Sequence, residues 1–199
     1  KYLNKVENLI KSGLESKYDI KFGHYGSYFT NLSIEGSDLD ILVYYKPLKT
    51  DDNHNFLNDI IQILSENGNQ FESVKPILSA SVPVIILQIN IINEINSDNN
   101  NKVDFMSYFD EKDLIQIRID LTFSQSESEY NRSFQIVNYV NNNIKAYPLI
   151  RPLLLVMKRY FKIMKMNKSY TGVLSSISLF LLLLAVCKNI KKNQQMSLD

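Results

Sequence analysis

Apolar positions in the first 124 residues recur with two alternating periods. Leu3, Val6, Leu9, Ile10 and Leu14 stand at helical spacing with polar residues between them, which predicts an opening helix over residues 1–16. Gly13 inside it is a tolerable cost. Tyr18 to Phe22 alternates as a short strand does, and Gly23-His24-Tyr25-Gly26-Ser27 reads as a turn before a short helix through Leu32. Leu39 to Tyr45 predicts a strand stopped by Pro47. Asn53 to Asn67 predicts a helix with Phe56, Ile60, Ile61, Ile63 and Leu64 on one side and Gly68 ending it. Phe71 to Leu78 and Val82 to Ile92 are rich in Val and Ile and read as strands, with Pro83 at a start or an edge. Residues 95–113 are polar, Asn-rich and aperiodic, as a loop or insertion would be. Leu114 to Phe123 then alternates cleanly. Ile115, Ile117, Ile119 and Leu121 share one face, and Gln116, Arg118, Asp120 and Thr122 share the other.

Beyond that strand the period is helical throughout. Glu127 to Ile144 carries Tyr130, Phe134, Val137 and Val140 as its apolar positions. Leu149 to Met166 holds Pro152 in its first turn, where the ring is tolerated, and Leu174 to Ile190 is the last helix. The expected organisation is α+β over residues 1–124 and all-helical over 125–199, with no internal repeat. The longest apolar run, Ile177 to Cys187, is interrupted by Ser178 and falls well short of the roughly 20 residues of a membrane span, so a buried core helix is expected.

Composition narrows the picture a little. The 199 residues, 45% hydrophobic and 22% charged, are ordinary for a soluble globular protein. A formal net charge of +1 leaves any basic site local. One cysteine, Cys187, excludes an internal disulfide and fits a reducing compartment, and two histidines with it cannot supply the usual zinc sets. His24 and His54 have no partner legible in the sequence and read as surface residues. The first residues lack the apolar core of a signal peptide. The chain opens without Met and closes on a polar tail behind an apolar helix, so a piece of a longer protein is expected. The Asn runs at 99–101 and 141–143 read as a compositional bias.

The chemistry concentrates between Tyr25 and Asp40. Gly26-Ser27 ahead of a short helical turn offers backbone N–H groups and a hydroxyl, which suit a phosphate. Asp38 and Asp40, one residue apart at the start of a strand, point the same way and repel unless a cation lies between them. Asp120 is a third carboxylate on the polar face of a strand. If that strand pairs beside the Asp38/Asp40 strand, the three converge and two Mg²⁺ ions become natural occupants. The plainer alternative makes Asp120 a solvent-facing edge residue. On the helix around Lys158, a helical wheel puts Leu153, Val156, Met157, Tyr160 and Met164 on one face and Lys158, Lys162 and Lys165 on the other. Such a stripe is either a solvated basic face or a clamp for a triphosphate.

Gly26-Ser27, Thr30, Leu32 and Ser37-Asp38-Leu39-Asp40 together resemble the signature of the DNA polymerase β-like nucleotidyltransferases, nearest to the non-canonical poly(A) and poly(U) RNA polymerases. Val82-Pro83-Val84-Ile85, Ile119-Asp120-Leu121-Thr122-Phe123 and Arg151-Pro152-Leu153 through Lys158, Lys162, Asn167, Tyr170-Thr171-Gly172 and Leu174-Ser175-Ser176 continue the likeness in order. The resemblance implies a palm-like mixed β-sheet with flanking helices as a catalytic domain over 1–124, followed by the start of an all-α central domain over 125–199, C-terminally incomplete. It implies Asp38, Asp40 and Asp120 as catalytic metal ligands for two Mg²⁺ ions, with Mn²⁺ as an alternative. It also implies nucleotide contacts from Gly26, Ser27, Asn131, Lys158, Lys162 and Ser176. Asn131 would contact the ribose and Ser176 a phosphate. Many relatives carry an aromatic residue where this chain has Ile177, which leaves base choice open. Tyr170 reads as a packing residue.

The implied activity is addition of AMP or UMP to RNA 3′ ends without a template. Its partners would be a ribonucleoside triphosphate, an RNA 3′ end and a protein that supplies RNA affinity, with no membrane. The implied location is intracellular, nuclear or cytoplasmic. The alternatives are a nucleotidyltransferase with another acceptor and an inactive scaffold of an RNA-processing complex.

Overall fold

The computed structural model describes residues 2–49, 55–80, 82–90, 116–166 and 174–196, the side chains of 192–196 excepted. The expected loop at 95–113, the first residues of the expected strands and helices at 53, 54, 114 and 115, and the Asn167 to Gly172 motif lie outside them. Two compact units emerge. One comprises Lys1–Tyr25 and Asp38–Ser133, the other Gly26–Ser37 and Phe134–Asp199.

Among the described residues the first unit is built on a five-stranded mixed sheet. Its strands are β1 (Tyr18–Tyr25), β2 (Leu39–Pro47), β3 (Ser73–Ile77), β4 (Val84–Asn90) and β5 (Gln116–Ser124), in spatial order β1-β2-β5-β4-β3. β2 and β5 run parallel and every other pair is antiparallel. The strand carrying Asp120 is therefore the central one, not an edge. Helices α1 (Tyr2–Leu14) and α3 (Phe56–Glu66) pack on the apolar face. There Ile41, Val43, Ile85, Leu87, Ile119 and Leu121 meet Val6, Ile10, Leu14, Ile60 and Leu64 in one core. The alternation seen in the sequence is what separates this face from the polar one. Gly13 has a packing reason: a Cβ there would stand 2.6 Å from Ile63 Cδ1, so α1 and α3 approach closely at that point.

Three local expectations change. The Gly23 to Tyr25 stretch is strand, not turn, with Gly23 opposite Leu42 and Tyr25 opposite Asp40. The first two turns of α4 (Glu127–Ala146) explain the glycine, since a Cβ on Gly23 would meet Ser133 Oγ at 3.1 Å and the Tyr130 ring at 3.3 Å. His24 is half-buried and paired with Glu7 of α1, so it is not an isolated surface residue. Helix α3 begins at an Asn55 cap, whose side chain accepts from the Leu57 and Asn58 N–H groups at 3.1 and 3.3 Å. It ends on Asn67, whose side chain donates to the Ile63 carbonyl at 2.9 Å, while Gly68 opens a 3₁₀ turn.

The second unit holds α2 (Gly26–Phe29), the later part of α4, α5 (Ile150–Ile163) and α6 (Ser176–Met196). Leu32, Val140, Ile150, Leu154, Leu179, Phe180 and Leu184 form its core. The buried side of α5 is Ile150 and Leu154 with Met157 and Phe161 alongside, whereas Leu153, Val156 and Tyr160 are exposed. The apolar wheel face therefore lies turned away from the core by about one residue. Helix α6 buries one side only, with Leu181, Leu182 and Val186 exposed. Among the described residues no helix is long and apolar enough to cross a membrane.

Candidate active site

The parallel pairing of β2 with β5 brings two of the expected carboxylates side by side. Asp40 and Asp120 are register partners, Tyr25 stands opposite Asp40 on β1, and Ile86 opposite Asp120 on β4. Register partners project to the same face, so Tyr25, Asp40 and Asp120 form one row across the polar side of the sheet. Asp38 lies just before β2, close enough that its Oδ1 is 3.6 Å from Arg118 Nε. The flanking residues hold the row in place, because Ile41, Ile119 and Leu121 are fully buried on the opposite face.

A cation already lies among these acids. Arg118, two residues before Asp120 and on the same face, donates Nε–H to Asp120 Oδ1 at 2.8 Å and an NH2 proton to Oδ2 at 2.9 Å. The bidentate hydrogen bond to Asp120 raises the Arg118 pKa, burial opposes the rise, and the fields of Asp120, Asp38 and Asp40 add to it. All three carboxylates thus act on one guanidinium. Among the described residues no three acids form a ready-made metal cage; the trio is arranged around the guanidinium instead. Hard carboxylate oxygens that hold one cation are the donor chemistry Mg²⁺ requires, so the residues fit the implied ion.

Sequence reasoning placed Arg118 on this face and gave it no role. Its spacing of two from Asp120 was the available signal. Tyr25 was likewise passed over. Its hydroxyl is 3.1 Å from Thr122 Oγ1, which in turn donates to the Ile41 carbonyl at 3.3 Å. Burial pushes the Tyr25 phenol above its ordinary pKa of 10.0, the Thr122 hydrogen bond offsets part of this, and Asp40 and Asp120 push it further up. Tyr25 therefore contributes stability that is fully present below about pH 10 and is lost as pH rises through its folded pKa. Tyr25→Phe is expected to flatten the alkaline limb of a stability-versus-pH curve measured by urea unfolding between pH 9 and 11 (a range chosen around the roughly 10 of a free phenol).

Asn131 belongs to the same unit and is exposed in the first part of α4, after Tyr130, whose hydroxyl donates to the Phe22 carbonyl at 3.3 Å. The other expected contacts fall in the second unit. Gly26 adopts φ +79°, which favours glycine, and opens α2; Ser27 is half-buried, and its carbonyl accepts from Leu32 N–H at 2.8 Å. The segment after it is held by helix side chains. Asn141 Nδ2 donates to the Phe29 carbonyl at 3.3 Å, Arg151 Nε to Asn31 at 3.2 Å and Lys158 Nζ to Leu32 at 2.6 Å, while Lys162 donates to Glu35. The two lysines expected to clamp phosphates thus converge on the carbonyls of the signature segment. Ser176 is the exposed first residue of α6, with Ile177 exposed beside it.

Gly36 (φ +69°) completes this turn, and a Cβ on it would stand 2.8 Å from Lys162 Nζ. Gly36→Ala is expected to destabilise the protein by about 1–2 kcal/mol, the cost of a left-handed residue with a side chain. A lowered urea midpoint at an unchanged m-value checks it.

The family described as "Poly(A) RNA polymerase, mitochondrial-like, central palm domain" matches residues 1–134. The chain belongs to this poly(A) RNA polymerase palm family. It is similar to the inactive non-canonical poly(A) RNA polymerase protein Trf4-2 of Drosophila melanogaster, 25% identical, over 87% of this chain and 36% of that one. It is also similar to poly(A) RNA polymerase gld-4 of Caenorhabditis elegans, 27% identical, over 82% of this chain and 16% of that one. Among solved structures, a Cid1 poly(U) polymerase bound to MgATP shares the fold with a TM-score of 0.59 at 18% identity, covering 90% of this chain and 46% of that one. The chain spans about a third or less of the length of these two curated relatives. The palm identity accords with the mixed sheet and flanking helices, and it puts the protein among the poly(A)/poly(U) polymerase-like nucleotidyltransferases.

Proposed function

We propose that the protein containing this chain is a template-independent RNA 3′-terminal nucleotidyltransferase that transfers AMP or UMP from a ribonucleoside triphosphate to an RNA 3′ end and releases pyrophosphate. The observation that carries the reading is the Asp40–Asp120 register pair with Asp38 beside it, gathered about one cation. Asp38, Asp40 and Asp120 would hold Mg²⁺. Two such ions would supply the chemistry, one making the 3′-hydroxyl more acidic and the other neutralising charge on the leaving pyrophosphate. The chain's own contribution is placement. The sheet fixes Asp40 and Asp120 at one height, and the apolar face behind them keeps that height constant. Gly26 and Ser27 would bind the triphosphate through N–H and hydroxyl donors. Lys158, Lys162 and Ser176 would add phosphate contacts, and Asn131 would donate to the ribose hydroxyls. The domain boundary is proposed at residue 124, with a central helical domain after it.

The test is extension of an oligonucleotide RNA by the full-length protein, with ATP, UTP, CTP and GTP supplied separately. Mg²⁺-dependent lengthening with one or two of the four is the expected result. A second reading, an inactive scaffold, is favoured by the likeness to a relative described as inactive. No extension with any nucleotide, by protein shown to be folded, would decide for it.

A further inference from the structure

The pairing of Arg118 with Asp120 is more than surface neutralisation. Both Asp120 oxygens are taken by two parallel N–H donors, at 2.8 and 2.9 Å, and the same Nε lies 3.6 Å from Asp38. A carboxylate so engaged has its two best lone-pair directions occupied and cannot at the same time ligate a metal through them. Any divalent ion entering the trio would also stand within a few ångströms of a fixed positive charge. The pair is nonetheless exchangeable. The Arg118 side chain is 42% exposed against 18% for Asp120, so the long guanidinium arm can turn into solvent while the carboxylate keeps its place on the strand. On β4 the residue opposite Arg118 is Gln88, whose Oε1 accepts from Ser73 at 2.6 Å, so the acids that face the guanidinium are those of the trio itself, Asp120 on its own strand and Asp38 and Asp40 on the β2 side.

We propose that Arg118 is an internal counter-cation of the Asp38/Asp40/Asp120 trio, and that a divalent ion binds this site by exchange, releasing the guanidinium from Asp120. This rests on the reading of the trio as metal ligands. Arg118 acts through Asp120 and is a positioning residue. In the ion-free protein it cancels carboxylate repulsion that would otherwise push the ends of β2 and β5 apart. It also sets a threshold on ion occupancy.

The experiment is a calorimetric titration of the full-length protein with Mn²⁺ alone, without nucleotide, comparing wild type, Arg118→Gln and Asp120→Asn. Arg118→Gln is expected to bind Mn²⁺ roughly tenfold more tightly, since competition and like-charge repulsion are both removed. Asp120→Asn is expected to bind far more weakly. A purely structural role for Arg118 predicts weaker or unchanged binding in Arg118→Gln, and that result overturns the proposal. A measurement independent of the variant's folding uses wild-type protein labelled at arginine nitrogen. The Arg118 Nε–H resonance should shift, and its solvent exchange should quicken, as Mg²⁺ saturates the site. A resonance unmoved at saturating Mg²⁺ overturns the exchange. Failure of wild type and Arg118→Gln alike to bind Mn²⁺ overturns the metal reading of the trio together with this inference, whereas equal affinities overturn this inference alone.

Discussion

Asp120→Asn is expected to lower Mg²⁺-dependent RNA extension by at least about 10³-fold while leaving the fold intact. Metal-assisted stabilisation of transition-state charge is worth several kcal/mol, and each ~1.4 kcal/mol is a factor of ten in rate. The substitution keeps the side chain's volume on the polar face, so the packing of Ile119 and Leu121 behind it is untouched. What it removes is one anionic oxygen from a row in which Asp40 is the direct register partner. The Arg118 hydrogen bonds weaken as well, but with the guanidinium 42% exposed that pair contributes only on the order of 1 kcal/mol, too little to unfold the protein. Stability and activity should therefore separate. The measurement is single-turnover extension beside urea unfolding of the same preparations. Retention of extension within tenfold of wild type would sink the catalytic assignment of Asp120, and a matching collapse of stability would recast the residue as structural.

That separation reflects how much of the site lay open in the sequence. Alternation over Leu114 to Phe123 put Asp120 on the polar side of a strand, and the one-residue gap between Asp38 and Asp40 fixed their shared direction. Both are local properties of backbone geometry. The pairing that brings β2 beside β5 is non-local. No periodicity specifies which strands are neighbours, and only the condition "if they pair" could be stated beforehand. The elements were legible for the same local reason: α1, α3 and the long helices have clear periods, and Pro47 does stand at the end of β2. The misses are tertiary. Gly23 looked like a turn residue until α4 packed against it. The helical wheel mistakes the buried side of α5 because Val156 and the ring of Tyr160 offer apolar surface at helical spacing just as Leu154 and Phe161 do, and only the core's position tells them apart. Arg118 was visible yet silent, because an arginine beside an aspartate acquires meaning only when the neighbouring strand supplies further acids.

Leu121→Ala should show the opposite signature, a loss of stability of about 2–5 kcal/mol with the chemistry of each folded molecule preserved. Leu121 is fully buried on the central strand, opposite Ile41 on β2 and Ile85 on β4, both themselves inaccessible. A central strand covered by helices has little room to collapse, so the cavity stays largely unfilled and the penalty falls toward the upper part of that range. Asp120, its neighbour, points to the other face and keeps its register with Asp40. Extension by the folded fraction should stay within a few-fold of wild type at low temperature and fall steeply on warming, as the unfolded population grows. Urea unfolding followed by circular dichroism gives the first quantity, and extension rates normalised to folded protein give the second. A stability loss under 1 kcal/mol would mean that the core around β5 repacks freely, and the rigidity invoked for the carboxylate row would then have no source in the apolar face beneath it.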